Sequence, residues 1–252
     1  MSDLPPPIPA ATLVLMRART GGAPELLMME RPGHMAFAAG ALVFPGGRIE
    51  EEDRRAAADL ADGSDLAAAK IAAIRETLEE TGIAAGLSPQ PTGAVLAALR
   101  DPPLAEGGFA RLLAANHLAL ALDELVPFAR WCPNFKETRR FDATFFLAEA
   151  PPDAPEPVAQ AGEAVRTFWA SAADVLAQID AGSAQAIFPT RRNLERLARF
   201  GSFEEACADA ARHEVRTITP WVERRESGSF VCIPQDAGYP VTCEPYETAR
   251  RR

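Results

Sequence analysis

Three carboxylates in one short run, Glu76, Glu79 and Glu80, have the type and spacing to hold a metal ion. On a helix these positions are i, i+3 and i+4, so all three point to one side. Like charges on one face repel unless a cation lies between them. Carboxylate oxygens are hard donors suited to Mg2+ or Mn2+, which accept water as the remaining ligands. Taken alone, the run reads first as a solvated acidic helix face. Upstream, Phe44-Pro45-Gly46-Gly47-Arg48 is an apolar stretch stopped by a proline and two glycines, a sequence that turns sharply and lets a ligand approach the backbone. Arg31 and Arg48 flank that turn and are candidates to meet phosphate oxygens. Arginine is also the dominant cation here, only Lys70 and Lys136 being lysines.

The elements that must position these residues are legible in outline. Ala11–Arg19 and Glu25–Arg31 read as two strands of a hairpin joined across Thr20-Gly21-Gly22-Ala23-Pro24. Ala41–Phe44 is a short third strand. From Asp53 to Thr81 the Ala, Leu, Arg, Glu and Asp content favours helix, interrupted at Asp62-Gly63-Ser64-Asp65. Ser64 or Asp65 is suited to cap the second helix, which ends near Gly82. Leu104–Trp131 reads as helical from its Ala and Leu content. Phe141–Ala148 and Val165–Ala170 read as strands, and helices are expected at Ala172–Ile179, Asn193–Phe200 and near Phe203–His213. Residues 1–214 form the expected main domain, and 215–252 an extension packed on it.

The chain has 252 residues, 48% hydrophobic and 24% charged, enough to bury a core without disulfides or a structural metal. Its 35 acidic residues against 26 Lys plus Arg give a formal net charge of −9, which argues against a nucleic-acid backbone as partner. Cys132, Cys207, Cys232 and Cys243 are far apart, with no C-x-x-C pair, and free thiols are expected. The N-terminus lacks a basic region followed by an apolar stretch, no apolar run reaches membrane-spanning length, and the C-terminus carries no Ser-Lys-Leu signal. The expectation is a soluble cytoplasmic protein. His34, His117 and His213 are scattered and read as surface or packing residues, and Trp131, Phe135 and Phe141 as core or rim aromatics rather than an adenine platform.

The array around the carboxylates resembles the Nudix box, G-x5-E-x7-R-E-U-x-E-E-x-G-U, where U is a bulky apolar residue. Gly47 matches the first glycine, and Arg75, Glu76, Leu78, Glu79, Glu80, Gly82 and Ile83 match the distal half. Asp53 stands where the family has glutamate, and Arg54–Ile74 replaces the usual seven residues, so the box 47–83 carries an insertion at about 54–74. The resemblance implies an α/β Nudix fold, a mixed β-sheet sandwiched between α-helices. It implies Mg2+ or Mn2+ on Glu76, Glu79 and Glu80, with Arg75 paired to an acidic residue of the box, here Asp53. Glu76 or Glu79 would take the proton of the attacking water. Glu163, in Gln160-Ala161-Gly162-Glu163, is a candidate for a further metal ligand from outside the box, with a solvated loop carboxylate as the alternative. Gly46, Gly47, Arg31 and Arg48 are the substrate-binding candidates.

Sequence outside the box is similar to the coenzyme A diphosphatase signature L-L-T-x-R-[S/A]-x3-R-x3-G-x3-F-P-G-G. Arg31, Gly40 and Phe44 keep its spacing; Pro32 and Ala36 depart from it, Ala36 removing an expected phosphate contact. A fuller likeness is to the Nudix type 19 group, the peroxisomal coenzyme A diphosphatases of animals and their bacterial relatives. The shared pieces are Gly40–Gly47, the box insertion, Arg140-Phe141-Asp142-Ala143-Thr144-Phe145-Phe146, and Pro189-Thr190 before a helix. This implies hydrolysis of a diphosphate bond in coenzyme A or an acyl derivative. The alternatives are hydrolysis of ADP-ribose, nucleotide sugars or dinucleotides, or a Nudix-fold module that binds a nucleotide without cutting it. The expected partner is a small-molecule diphosphate, with neither nucleic acid nor membrane, and a homodimer is left open.

Overall fold

The computed structural model describes residues 5–35, 37–100, 108–134 and 139–249. Its centre is β1 (Ile8–Arg17), a strand whose residues alternate between two apolar layers. Ala11, Leu13 and Leu15 face one core cluster, while Val14 and Met16 face another. A strand with period-two apolar residues buried on both faces must be covered on both sides. The first cluster is roofed by α1 (Glu51–Leu60) and α2 (Asp65–Thr81), and the second by α5 (Ala172–Asp180), α6 (Phe188–Leu197) and α7 (Phe203–Ala210).

The other strands of the main sheet are β2 (Glu25–Glu30), β3 (Leu42–Val43), β4 (Gly46–Arg48), β7 (Val126–Trp131), β8 (Phe141–Glu149), β9 (Arg166–Ser171) and β10 (Thr217–Ile218). Their order is β10-β7-β8-β1-β2-β3, with β4 also on β1 and β9 also on β2. β1 runs parallel to β8 from Ile8 to Met16, while β7–β8, β1–β2, β1–β4 and β2–β9 are antiparallel, so the sheet is mixed. β5 (Leu87–Ser88) and β6 (Ala119–Leu120) pair separately, flanking α3 (Gly93–Arg100) and α4 (Phe109–Ala115). A third sheet holds β11 (Trp221–Arg225), β12 (Gly228–Cys232) and β13 (Cys243–Pro245), followed by α8 (Tyr246–Ala249). No helix is long and apolar enough to cross a membrane among the described residues.

The box insertion becomes helix. α1 and the first turns of α2 bury Ala56, Ala57, Ala67, Ala68, Ala72 and Ala73, small side chains that let the helices lie close to the sheet. Ser64 is the N-cap of α2, its hydroxyl accepting from the Ala67 amide at 3.0 Å. Gly82 closes α2 in the left-handed conformation at φ +74°, where glycine avoids the Cβ penalty.

Three expectations are corrected. Helix was expected throughout Leu104–Trp131, but Val126–Trp131 is β7: Phe128 and Trp131 are buried and the strand pairs with β8. Pro127, which has no amide to donate, sits at the register shift of that pair. α6 begins at Phe188 rather than Asn193, placing Pro189 and Thr190 in its first turn, where a missing amide costs little. Cys132 and Cys207 are free, but Cys232 and Cys243 are joined, since β12 and β13 place them opposite each other in the antiparallel ladder. β10 joins the main sheet, and Val231, Ile233 and Tyr239 pack into the second core cluster.

Candidate active site

The glycine turn is fixed against α2 by two close approaches. Gly46 adopts φ +151°, and a Cβ there would run into the carbonyl of Ala11. At Gly47 a Cβ would occupy the space of the Glu76 carboxylate. Both positions therefore demand glycine, and β4 pairs through Gly46–Arg48 with Ala10–Thr12 of β1. The Gly46 amide donates to Glu80 Oε2 at 2.9 Å, tying turn to helix.

Arg75 organises the neighbouring carboxylates. Its Nε and Nη2 donate to the two oxygens of Asp53, each at 2.9 Å, a bidentate pair with Asp53 only 1% exposed. Its Nη1 reaches Glu76 at 3.1 Å and Glu79 at 2.9 Å, and Nη2 also donates to the Arg48 carbonyl. Asp53 additionally accepts the Glu50 amide at 2.8 Å at the start of α1. The shorter acid thus reaches Arg75 because the inserted α1 carries it directly against α2. Burial opposes the Arg75 charge, but the bond to Asp53 and the fields of Glu76, Asp53 and Glu79 outweigh it and hold the guanidinium charged.

The carboxylates are under the opposite pressure. Burial pushes Glu76 up to about 7 against the attraction of Arg75, with Glu79 and Glu163 adding to the rise. Glu79 is raised by burial, opposed by Arg75. Glu80, 3% exposed, is raised well above the carboxylate range by burial and by Glu76, with the Gly46 amide opposing. Desolvated acids that repel one another favour either protons or a cation in their midst. Glu163 arrives on a loop pinned to the end of α2, the Val158 amide donating to Thr81 O and the Gln160 amide to Glu80 O.

These groups open onto a cavity of about 1110 Å³. Glu76, Glu80, Glu163, Arg31, Arg48, Gly46 and Gly47 all line it. Arg75 and Glu79 do not; they sit beside it, Glu79 held by Arg75. Among the described residues no three acidic, histidine or cysteine side chains are gathered as a ready ion cage, and Arg75 and the Gly46 amide engage the carboxylates. Trp131 is buried, its Nε1 donating to Tyr239 Oη, and Phe141 stacks on Phe37 at 4.9 Å at the cavity wall. Phe135 and Ala36 lie outside the described residues. The sequence reading passed over Arg139 and the C-terminal wall, Val231, Tyr246 and Ala249; it quoted Arg140 only within a longer motif. The Arg139-Arg140 pair at the head of a strand was the available signal.

A crystal structure of a Nudix hydrolase from Alicyclobacillus acidocaldarius matches this chain with a TM-score of 0.69 at 28% identity, covering 81% of this chain and 96% of that one. Looser matches are the NUDIX domain of Shewanella oneidensis NrtR complexed with ADP ribose (TM-score 0.44, 15% identity, 78% and 88% covered) and a MutT protein from Methanosarcina mazei Go1 (0.41, 19%, 77% and 94%). No family model and no curated protein matches the chain. The mixed sheet between helices is the Nudix fold. In fold the chain is similar to Nudix hydrolases.

Proposed function

We propose that this enzyme is a metal-dependent diphosphatase acting on a nucleoside diphosphate-linked small molecule, with coenzyme A or an acyl-coenzyme A as the favoured substrate. The observation that carries the reading is the pair of desolvated carboxylates Glu76 and Glu80, joined by the exposed Glu163, in the wall of one large cavity beside an arginine held by Asp53. The donor set fits a hard divalent cation: all oxygen, all anionic, and each of the three box glutamates raised towards protonation without one. Glu76, Glu79 and Glu80 would hold Mg2+ or Mn2+, with Glu163 as a further ligand. Bound there, the metal would neutralise the diphosphate and help ionise water.

The chain's own residues supply the rest. Glu76 faces the cavity and Glu79 does not, which favours the Glu76 carboxylate as acceptor of the water proton. Asp53 fixes Arg75, and Arg75 fixes the approach of Glu76 and Glu79. Gly46 and Gly47 let a phosphate come close to the backbone, and Arg31 and Arg48 offer it positive charge. The coenzyme A preference rests on the sequence resemblance and on a cavity larger than the roughly 300–1,000 Å³ of ordinary small-molecule sites.

The test is Glu76→Gln and Glu79→Gln in a metal-supplemented assay on coenzyme A. Both variants are expected to keep a cooperative melt and lose turnover by at least about a hundredfold. Full activity in either variant would remove that residue from the site.

A further inference from the structure

Four arginines line the cavity: Arg31, Arg48, Arg139 and Arg140. Among the described residues none of the four has a carboxylate within ion-pair distance, whereas Arg17, Arg75, Arg130, Arg166, Arg191 and Arg192 all do; Arg19, Arg111, Arg199 and Arg224 are likewise without an ion pair but lie scattered away from the cavity. In a chain with an excess of acid, arginines without a counter-ion collected around one cavity are groups kept for an anion from outside.

They fall into two places. Arg48 follows Gly47 on β4, next to Glu76; Arg31 is near enough to act on Glu80 while its Nε donates to the Phe37 carbonyl at 3.3 Å, so it stands between the two ends. Arg139 and Arg140 stand elsewhere. Gly47 is opposite Ala11, and Ala11 is opposite Thr144 on β8. Arg140 lies four residues before Thr144, so the register puts it two strands across and four residues along from the glycine turn. At ~4.8 Å per strand and ~3.3 Å per residue that is on the order of 16 Å. Arg140 is fixed there: its Nε donates to the Pro133 carbonyl at 3.2 Å and its own carbonyl accepts the Ile8 amide at 2.8 Å. The apolar pair Phe37–Phe141 lies at the same end of β8.

From this geometry we infer that Arg139 and Arg140 form a second anion subsite, separate from the carboxylate end, which takes a phosphate monoester on the substrate other than the diphosphate that is cleaved. The inference rests on the hydrolase reading above and sharpens it. A nucleoside diphosphate compound with an additional ribose phosphate satisfies both ends of the cavity. ADP-ribose, nucleotide sugars and simple dinucleotides leave the far end without its anion.

The test compares coenzyme A with 3′-dephospho-coenzyme A, which share the scissile diphosphate and differ by that one monoester, in the wild type and in Arg139→Gln and Arg140→Gln. The wild type is expected to prefer coenzyme A by about 10- to 100-fold in kcat/KM, and each variant to lose most of that preference. Arg139 is exposed and, among the described residues, makes no hydrogen bond, so Arg139→Gln remains informative if Arg140→Gln disturbs the Pro133 loop. Equal turnover of both compounds by the wild type, or an undiminished preference in folded Arg139→Gln, overturns the subsite and leaves the hydrolase reading standing. Equilibrium binding of 3′,5′-ADP and of 5′-AMP, without metal, gives an independent readout. Tighter binding of 3′,5′-ADP that Arg139→Gln abolishes supports the subsite even if no compound is cleaved, and equal binding of the two overturns it.

Discussion

Replacing Asp53 with Ala tests the part of the account that everything else leans on. Asp53 is 1% exposed and accepts three hydrogen bonds, two from Arg75 and one from the Glu50 amide that starts α1. Its removal leaves a guanidinium that is itself only 11% exposed without its bidentate partner. Breaking a buried ion pair from one side costs roughly 3–5 kcal/mol. Arg75 keeps Glu76 and Glu79, which puts the expected loss at the lower end, about 3 kcal/mol. For a chain of this size each kcal/mol lowers Tm by roughly 2–4 °C, so Asp53→Ala should melt about 6–12 °C lower. Thermal and urea unfolding followed by circular dichroism give the number. Asp53→Glu, which restores the charge, should recover part of it. A loss under about 1 kcal/mol for Asp53→Ala would show that Arg75 does not depend on Asp53, and the positioning argument would fail.

Glu76 gives a pH prediction. Its folded value of about 7 lies above the ordinary 4.5, so in metal-free protein its contribution is fully present below about pH 4.5 and lost as pH rises through 7. The difference in stability between wild type and Glu76→Gln should therefore change by about 3 kcal/mol across that window, and parallel profiles would refute it. Gly47→Ala inserts a methyl where the Glu76 carboxylate lies; kcat should fall by about a hundredfold with the fold retained, and unchanged kcat would show that the close approach has no role. Glu244→Ala strips a partner from Arg192, 1% exposed, and should lower stability by about 3 kcal/mol in a urea titration, releasing the C-terminal wall to proteolysis before the rest of the chain.

The sequence was most informative where spacing alone dictates geometry. Glycine at 46 and 47 and carboxylates at 76, 79 and 80 are constraints that any helix-and-turn arrangement must honour, and the pairing of Arg75 with Asp53 appears in the structure as a bidentate contact. Helical spacing did not show that Glu79 would be drawn aside by Arg75 while Glu76 and Glu80 face the cavity, since that choice depends on side-chain contacts. Alanine and leucine content suggested helix at 126–131, but pairing with β8 overrode propensity. The disulfide was missed because Cys232 and Cys243 meet only through ladder register, which their spacing in the chain does not reveal. The far arginines, Arg139 and Arg140, form a visible pair in the sequence, but only the alignment of β1, β4 and β8 brings them to the cavity.

The most direct test is product analysis by mass spectrometry on coenzyme A, acetyl-coenzyme A, ADP-ribose, NADH, diadenosine polyphosphates and UDP-glucose, each with Mg2+, Mn2+ or chelator. Cleavage is expected only with metal, releasing 3′,5′-ADP from the coenzyme A compounds in preference to any product of the others. Undiminished cleavage in chelator would contradict the metal chemistry, and AMP from ADP-ribose or NADH as the dominant product would contradict the substrate assignment.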